Sequence, residues 1–183
     1  MEEDKLVLSL PPFNHFGLDS FIKSNNIDYL ELEDAVINLI RSACNTISIS
    51  SPFLEINTVP EIKGELLNKA NHTKIRILVR QVNDENTSRK ENIEAFIMEA
   101  KRRGVLKNIE IRDYHYSEKP PVLSSVHAKF IIVDGFRMYL GSGEIRRNSI
   151  EKNFEAGIIK TGNIAKDLEK IFMEIFSKAK PIK

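Results

Sequence analysis

Residues Val126 to Val133 are apolar except for His127 and Lys129, and they run directly into Asp134-Gly135. A β-branched run of this length closed by an Asp-Gly pair predicts a buried strand that folds back through a two-residue hairpin onto a second strand, Phe136–Leu140. Side chains two apart on a strand share a face, so the imidazole and the ammonium are expected side by side. Burying both costs free energy unless they meet a partner or a bound anion. A hydrophobic core has no use for such a pair.

The rest of the chain reads as alternating strands and helices. Ala35, Val36, Leu39, Ile40 and Ala43 recur at helical spacing after Leu32, and Ile47 and Ile49 then alternate with Ser48 and Ser50 as in a strand. Cys44, the one cysteine, falls on the apolar side of that helix and is expected to be a buried thiol; it rules out an intrachain disulfide. Pro60 suits the first turn of a helix carrying Ile62, Leu66, Leu67 and Ala70. Ile75–Val79 reads as a strand, and Ser88 opens a helix with Ile93, Phe96, Ile97 and Ala100 on one face and Gly104 as its stop. Ile109 and Ile111 mark another strand, and residues 115–124, with Pro120-Pro121, are expected to be a loop. Phe154–Lys160 reads as a strand, and Ile164, Leu168, Ile171, Phe172, Ile175 and Phe176 as an amphipathic final helix. This alternation predicts an α/β fold, a mixed β-sheet flanked by helices on both faces. Residues 1–27 are expected to be an N-terminal arm or strand, and 28–183 one catalytic domain.

With 183 residues, 42% of them hydrophobic and 29% charged, the chain has the composition of a globular domain. No stretch approaches the length of a membrane span, and the acidic start Glu2-Glu3-Asp4 is unlike a signal peptide, so the chain is expected in the cytoplasm without a membrane partner. The net charge of +1 is unevenly placed: residues 1–34 carry eight acidic and two basic side chains, and the remaining 149 carry 25 basic and 18 acidic. A cationic body fits a polyanionic partner such as nucleic acid.

After the hairpin come Gly141-Ser142-Gly143-Glu144 and then Asn153-Phe154-Glu155. The pattern His127-x-Lys129-x4-Asp134, six residues, Gly141-Ser142 and a later Glu155 resembles the signature of the phospholipase D superfamily, and a single-motif nuclease-type member in particular. The resemblance is sharp over about a sixth of the chain. It implies an α-β-α sandwich and a catalytic set of His127, Lys129, Asp134 and Glu155. In that set His127 attacks phosphorus to give a phosphohistidine, Lys129 covers the phosphoryl oxygens, and Glu155 holds the far ring nitrogen. Ser142, with backbone amides freed by Gly141 and Gly143, is expected to bind the substrate phosphate. An in-line displacement needs its acid opposite the nucleophile, and the chain holds one His-x-Lys. A homodimer with a composite site on the twofold axis follows. Neither a metal nor another cofactor is expected, because a lysine beside the histidine repels a divalent cation.

Glu144 departs from the family pattern, which commonly has Asn there; a carboxylate only accepts hydrogen bonds and repels phosphate unless it is protonated or paired. Arg146 and Arg147 are near enough in sequence to neutralise it, and Arg146, Arg147, Asn148 and His115 are further candidates for substrate contact. Lys101, Arg102 and Arg103 are candidate backbone contacts, and Ser50-Ser51-Pro52-Phe53 resembles a family segment near the cleft. Asp134 has an equally good reading as simple turn chemistry. His15 and His72 read as surface residues. Three functions compete: a metal-independent nuclease, a non-catalytic nucleic-acid-binding or dimerisation module for which Glu144 is the clue, and a phospholipid head-group hydrolase. A separate targeting subunit is compatible with each of them.

Overall fold

The computed structural model describes residues 4–12, 17–83, 87–117 and 123–182. In chain order the elements are β1 (Lys5–Ser9), α1 (Leu18–Ser24), β2 (Leu30–Glu31), α2 (Leu32–Arg41), β3 (Thr46–Ser50), α3 (Pro60–Lys69), β4 (Lys74–Val79), α4 (Thr87–Arg102), β5 (Ile109–Asp113), β6 (His115–Ser117), β7 (Leu123–Ser125), β8 (Phe130–Val133), β9 (Arg137–Gly141), α5 (Arg147–Glu151), β10 (Glu155–Thr161), α6 (Asn163–Lys178) and β11 (Lys180–Pro181). Among the described residues nine strands form one mixed sheet in the order β11-β5-β4-β3-β8-β9-β10-β1-β2. β3, β4 and β5 run parallel, while β8 pairs antiparallel with β3 and with β9.

The alternation of side chains along the strands sorts the core. Ile47, Ile49, Ile75, Ile77, Ile131 and Val133 point to the face covered by α2, α3 and α4. Leu78, Phe130, Ile132 and Met138 point to the other, where α6 lays down Phe172 and Phe176. Phe172 stacks on Phe176 at 5.3 Å and meets Phe130 edge-on at 5.9 Å. Ser48, on that second face, donates to Glu169 of α6 at 2.8 Å, which accounts for a polar residue between two buried isoleucines.

Several expectations are corrected. The motif strand begins at Phe130; residues 126–129 lie outside the ladder, and His127 is exposed rather than buried. Residues 115–117 and 123–125 pair as the small sheet β6–β7 instead of forming a loop, while Pro120-Pro121, like His15, lies outside the described residues. Cys44 is exposed, because α2 ends at Arg41, before the cysteine can share its apolar face. Within the segment expected to be an arm or strand, residues 5–9 form a strand antiparallel to β10, and the correction there is the helix α1. The Asp134-Gly135 turn forms, with φ of 54° and 62°, but Val133 pairs with Arg137, so residues 134–136 separate the strands and β9 begins at Arg137, where a two-residue connection to Phe136 was expected.

Candidate active site at the carboxyl edge of the parallel strands

The register brings the polar motif to one edge of the sheet. Ser50 at the end of β3 lies beside Leu78 of β4 and Phe130 of β8, Phe130 lies beside Leu140 of β9, and Gly141 lies beside Gly157 of β10. The segments Ser51–Phe53, Arg80, His127–Lys129, Gly141–Glu144 and Asn153–Glu155 therefore emerge together, beyond the carboxyl ends of β3 and β4. Open α/β sheets bind ligands there.

The His127–Lys129 segment is tied down at three points. Ser50 Oγ donates to the Ala128 carbonyl at 2.7 Å, Val126 N–H donates to the Tyr114 carbonyl at 3.2 Å, and the Lys129 carbonyl accepts from Gly141 N–H at 3.3 Å. A fixed backbone thus presents an exposed imidazole whose ring has no hydrogen-bond partner among the described residues. Lys129 Nζ donates to the His127 carbonyl at 3.2 Å and lies 3.8 Å from Glu144 Oε1.

Glu144 is the unexpected member of this edge. Its side chain is only 2% exposed, against 17% for Lys129 and 28% for Arg146, whose Nε lies 3.3 Å from Glu144 Oε2. Burial pushes the Glu144 carboxyl above the ordinary carboxylate range, and Lys129, Arg146 and the Phe53 amide only partly offset it. Arg146 is thus the neutralising partner that the sequence offered. Arg147 turns outward to Glu151 at 2.8 Å, and Asn148 is exposed on α5.

Glu155 is engaged differently from the expected role. Its carboxylate accepts from Ser142 Oγ at 2.6 Å, Ser149 Oγ at 2.9 Å and Asn153 Nδ2 at 3.1 Å, and none of these bonds goes to His127. Burial works against its charge, but the donors from Ser142, Asn153 and Ser149 outweigh burial and hold it below the ordinary range. Ser149 and Asn153 were not singled out as site residues. The Asn-x-Glu spacing signals Asn153; nothing local signals Ser149, which α5 delivers.

The glycines also act differently from expectation. Gly141 N–H is spent on Lys129, Ser142 N–H on the Ala156 carbonyl at 3.0 Å, and Gly143 N–H on Tyr139 Oη at 3.1 Å, so these amides do not form a phosphate cradle. What requires glycine is the buried Tyr139 ring. A Cβ on Gly141 would overlap its hydroxyl and lie 2.7 Å from the Ala156 carbonyl oxygen. Burial pushes the Tyr139 hydroxyl up to about 12.

Asp134 belongs to the opposite edge. Its carboxylate accepts from the amides of Cys44, Asn45 and Thr46 at 2.8, 2.7 and 2.8 Å, closing the turn into β3. The catalytic expectation for Asp134 is corrected to an architectural one. His115 is buried at the head of β6, packed away rather than presented to solvent. Lys101, Arg102 and Arg103 sit at the far end of α4, where Arg103 and Arg102 reach Glu99 at 2.7 and 3.9 Å. Among the described residues no three His, Cys, Asp or Glu side chains gather as metal ligands, and no helix is long and apolar enough to cross a membrane.

Fold and edge together define an α/β protein built like the phospholipase D-like domains. The family model described as "Cardiolipin synthase, PLD-like domain" matches residues 36–176, and the chain belongs to that family. The phospholipase D family member Nuc from Salmonella typhimurium has the same fold, with a TM-score of 0.64 at 17% identity over 98% of both chains. NucT from Helicobacter pylori aligns with a TM-score of 0.67 at 14% identity, over 98% of this chain and 99% of its own. The phosphatidylserine synthase of Haemophilus influenzae Rd KW20 aligns at 0.65 and 12% identity, over 98% of this chain but 40% of its own. No curated protein sequence matches the chain.

Proposed function

We propose that this protein is a metal-independent phosphodiesterase that cleaves nucleic acid through a phosphohistidine. The observation that carries the reading is His127: an exposed imidazole without a partner among the described residues, on a tethered backbone next to Lys129. A neutral imidazole nitrogen attacks phosphorus, the bond to the leaving oxygen breaks, and a proton is delivered to that oxygen. Lys129 faces the anionic oxygens. Water then attacks the phosphohistidine, freeing the imidazole and releasing the second product.

One chain cannot place histidine on both sides of phosphorus. A second copy therefore supplies its own His127 as the acid, across a twofold axis. Glu155 acts through Ser142, whose hydroxyl it holds at 2.6 Å, and through the wall of the site. Membership of the family and the fold shared with Nuc and NucT support the reading. The decisive experiment is hydrolysis of bis(4-nitrophenyl) phosphate, DNA, RNA and phosphatidylglycerol vesicles in excess chelator. Turnover of the chromogenic ester and a nucleic acid is expected, with loss in His127→Ala; turnover of lipid alone would refute the nuclease assignment.

Glu144 supports a second reading. A buried carboxylate against Lys129 occupies the charge that a phosphate would use, as in a binding module that has lost turnover. Chelator-resistant hydrolysis by the unmodified protein would exclude it.

A further inference from the structure

Three guanidinium groups converge on one aromatic ring at the edge of this site. Phe53 follows β3, and its ring centroid lies 4.4 Å from the guanidinium carbon of Arg89, 5.8 Å from that of Arg80 and 5.8 Å from that of Arg146. The three arginines come from separate places: Arg80 directly follows β4, Arg89 lies in the first turn of α4, and Arg146 caps α5. Like charges held this close repel one another. Burial and the neighbouring Arg80 and Arg146 accordingly depress the Arg89 guanidinium, with Glu144 and Glu55 acting in the opposite sense.

The local anions do not balance the cluster. Arg146 shares Glu144 with Lys129. Arg89 donates to the neutral Gln81 side chain at 3.2 Å. Among the described residues the Arg80 side chain has no ion pair or hydrogen bond and its Nε is buried without an acceptor, while Arg146 Nε has only the 3.3 Å ion-pair contact with Glu144. Stacking on Phe53 returns about 0.5–2 kcal/mol per cation, which explains the geometry of each arginine but not the gathering of three. A fold that concentrates uncompensated guanidinium beside Lys129 is built to receive a further anion.

We propose that Arg80, Arg89 and Arg146, arranged around Phe53, form a second phosphate subsite that holds a neighbouring phosphate of a single-stranded nucleic acid while the scissile phosphate sits at His127 and Lys129. The proposal rests on the phosphodiesterase reading for its scissile position and deepens it: the substrate is a chain of phosphodiesters, not a lone one. Arg146 bridges the two positions through Glu144, and the Phe53 ring keeps the guanidinium planes oriented.

The test uses the full chain carrying His127→Ala, so that binding is measured without cleavage, and a labelled oligothymidylate of about 12 nucleotides. Arg80→Gln with Arg89→Gln is expected to weaken binding at least tenfold. It should also lower the slope of log K against log salt by about 1.4, or about 0.7 per lost contact with a single strand. In the catalytically intact background, kcat/KM for the oligonucleotide should fall at least ten times more than that for bis(4-nitrophenyl) phosphate. Arg80→Lys with Arg89→Lys should restore most of the salt slope, which a purely structural role would leave untouched. If the double glutamine variant melts early, Arg89→Gln alone carries the test with half the slope change.

An unchanged affinity and slope, or equal losses on both substrates, overturns the proposal. So does arginine-dependent binding to phosphatidylglycerol vesicles without oligonucleotide binding. Arginine-dependent oligonucleotide binding by a protein that hydrolyses neither substrate would instead sink the phosphodiesterase reading and leave the subsite standing.

Discussion

Ser142 Oγ donates a hydrogen bond to Glu155 Oε2 at 2.6 Å while the same oxygen accepts from the Ala156 N–H at 3.1 Å. The serine is therefore a clasp between the turn after β9 and the start of β10, and its side chain is fully committed without substrate. Ser142→Ala strands one carboxylate oxygen and one amide, at a cost of about 1–3 kcal/mol. Glu155 is held below the ordinary carboxylate range against the opposing effect of burial, so its contribution is present above that range and lost as pH falls through its lowered value. Urea midpoints of wild type and Ser142→Ala should differ at neutral pH and converge in acid.

Glu144 has the opposite sign. Its folded value is raised by burial, so its contribution to stability is complete below the ordinary carboxylate range and disappears as pH rises through the raised value. Lys129 and Arg146 keep some access to water and the carboxylate almost none, so the desolvation falls on Glu144. Glu144→Gln should gain stability over wild type as pH rises from 4 towards 8. It should also raise phosphodiesterase turnover several-fold by releasing Lys129. A fall in turnover would show that the carboxylate is needed.

Asp134→Ala tests the architectural assignment at the far edge. Three amides lose a charged acceptor, each such bond being worth about 1.5–3 kcal/mol before relaxation, and alanine must adopt a φ of 54° at a further cost of about 1 kcal/mol. Thermal denaturation should show a loss of several kcal/mol. Asp134→Asn should recover part of it, since Asn tolerates the left-handed region and keeps one oxygen. Turnover per folded molecule should survive in both variants; its abolition would restore a catalytic role.

The composite site predicts dominance. When subunits are exchanged between wild type and His127→Ala at equal amounts, only dimers with two intact chains turn over, so about one quarter of the activity should remain rather than one half. Sedimentation should show a dimer in the active fractions. A linear decline with His127→Ala content would mean that each chain acts alone.

The elements were largely legible because their signals are local. Alternation at Ile47–Ser50, helical spacing from Leu32 and in α6, and the Asp134-Gly135 turn each depend on a few neighbouring residues, and each formed where expected. The expectation of a buried Cys44 failed because α2 stops at Arg41, and element ends are set by packing. The strand around His127 was overextended for a similar reason: apolar character continues to Val126, but β3 ends at Ser50 and offers no ladder partner beyond Phe130.

By itself, the sequence determined which side chains exist at which spacing, and so the family, the turn at Asp134-Gly135 and the presence of His127 and Lys129 two residues apart. Only the tertiary structure decided their employment. Sheet register put Asp134 and His127 at opposite edges, the turn after β9 and the α5 segment surrounded Glu155 with donors, and Tyr139 claimed the space beside Gly141 and Gly143. It also collected Arg80, Arg89 and Arg146 around Phe53 from residues up to 93 positions apart. The reason is physical: spacing along the chain governs neighbours within a turn or two, whereas charge pairing, burial and hydrogen-bond satisfaction depend on distances that exist only once the sheet is assembled.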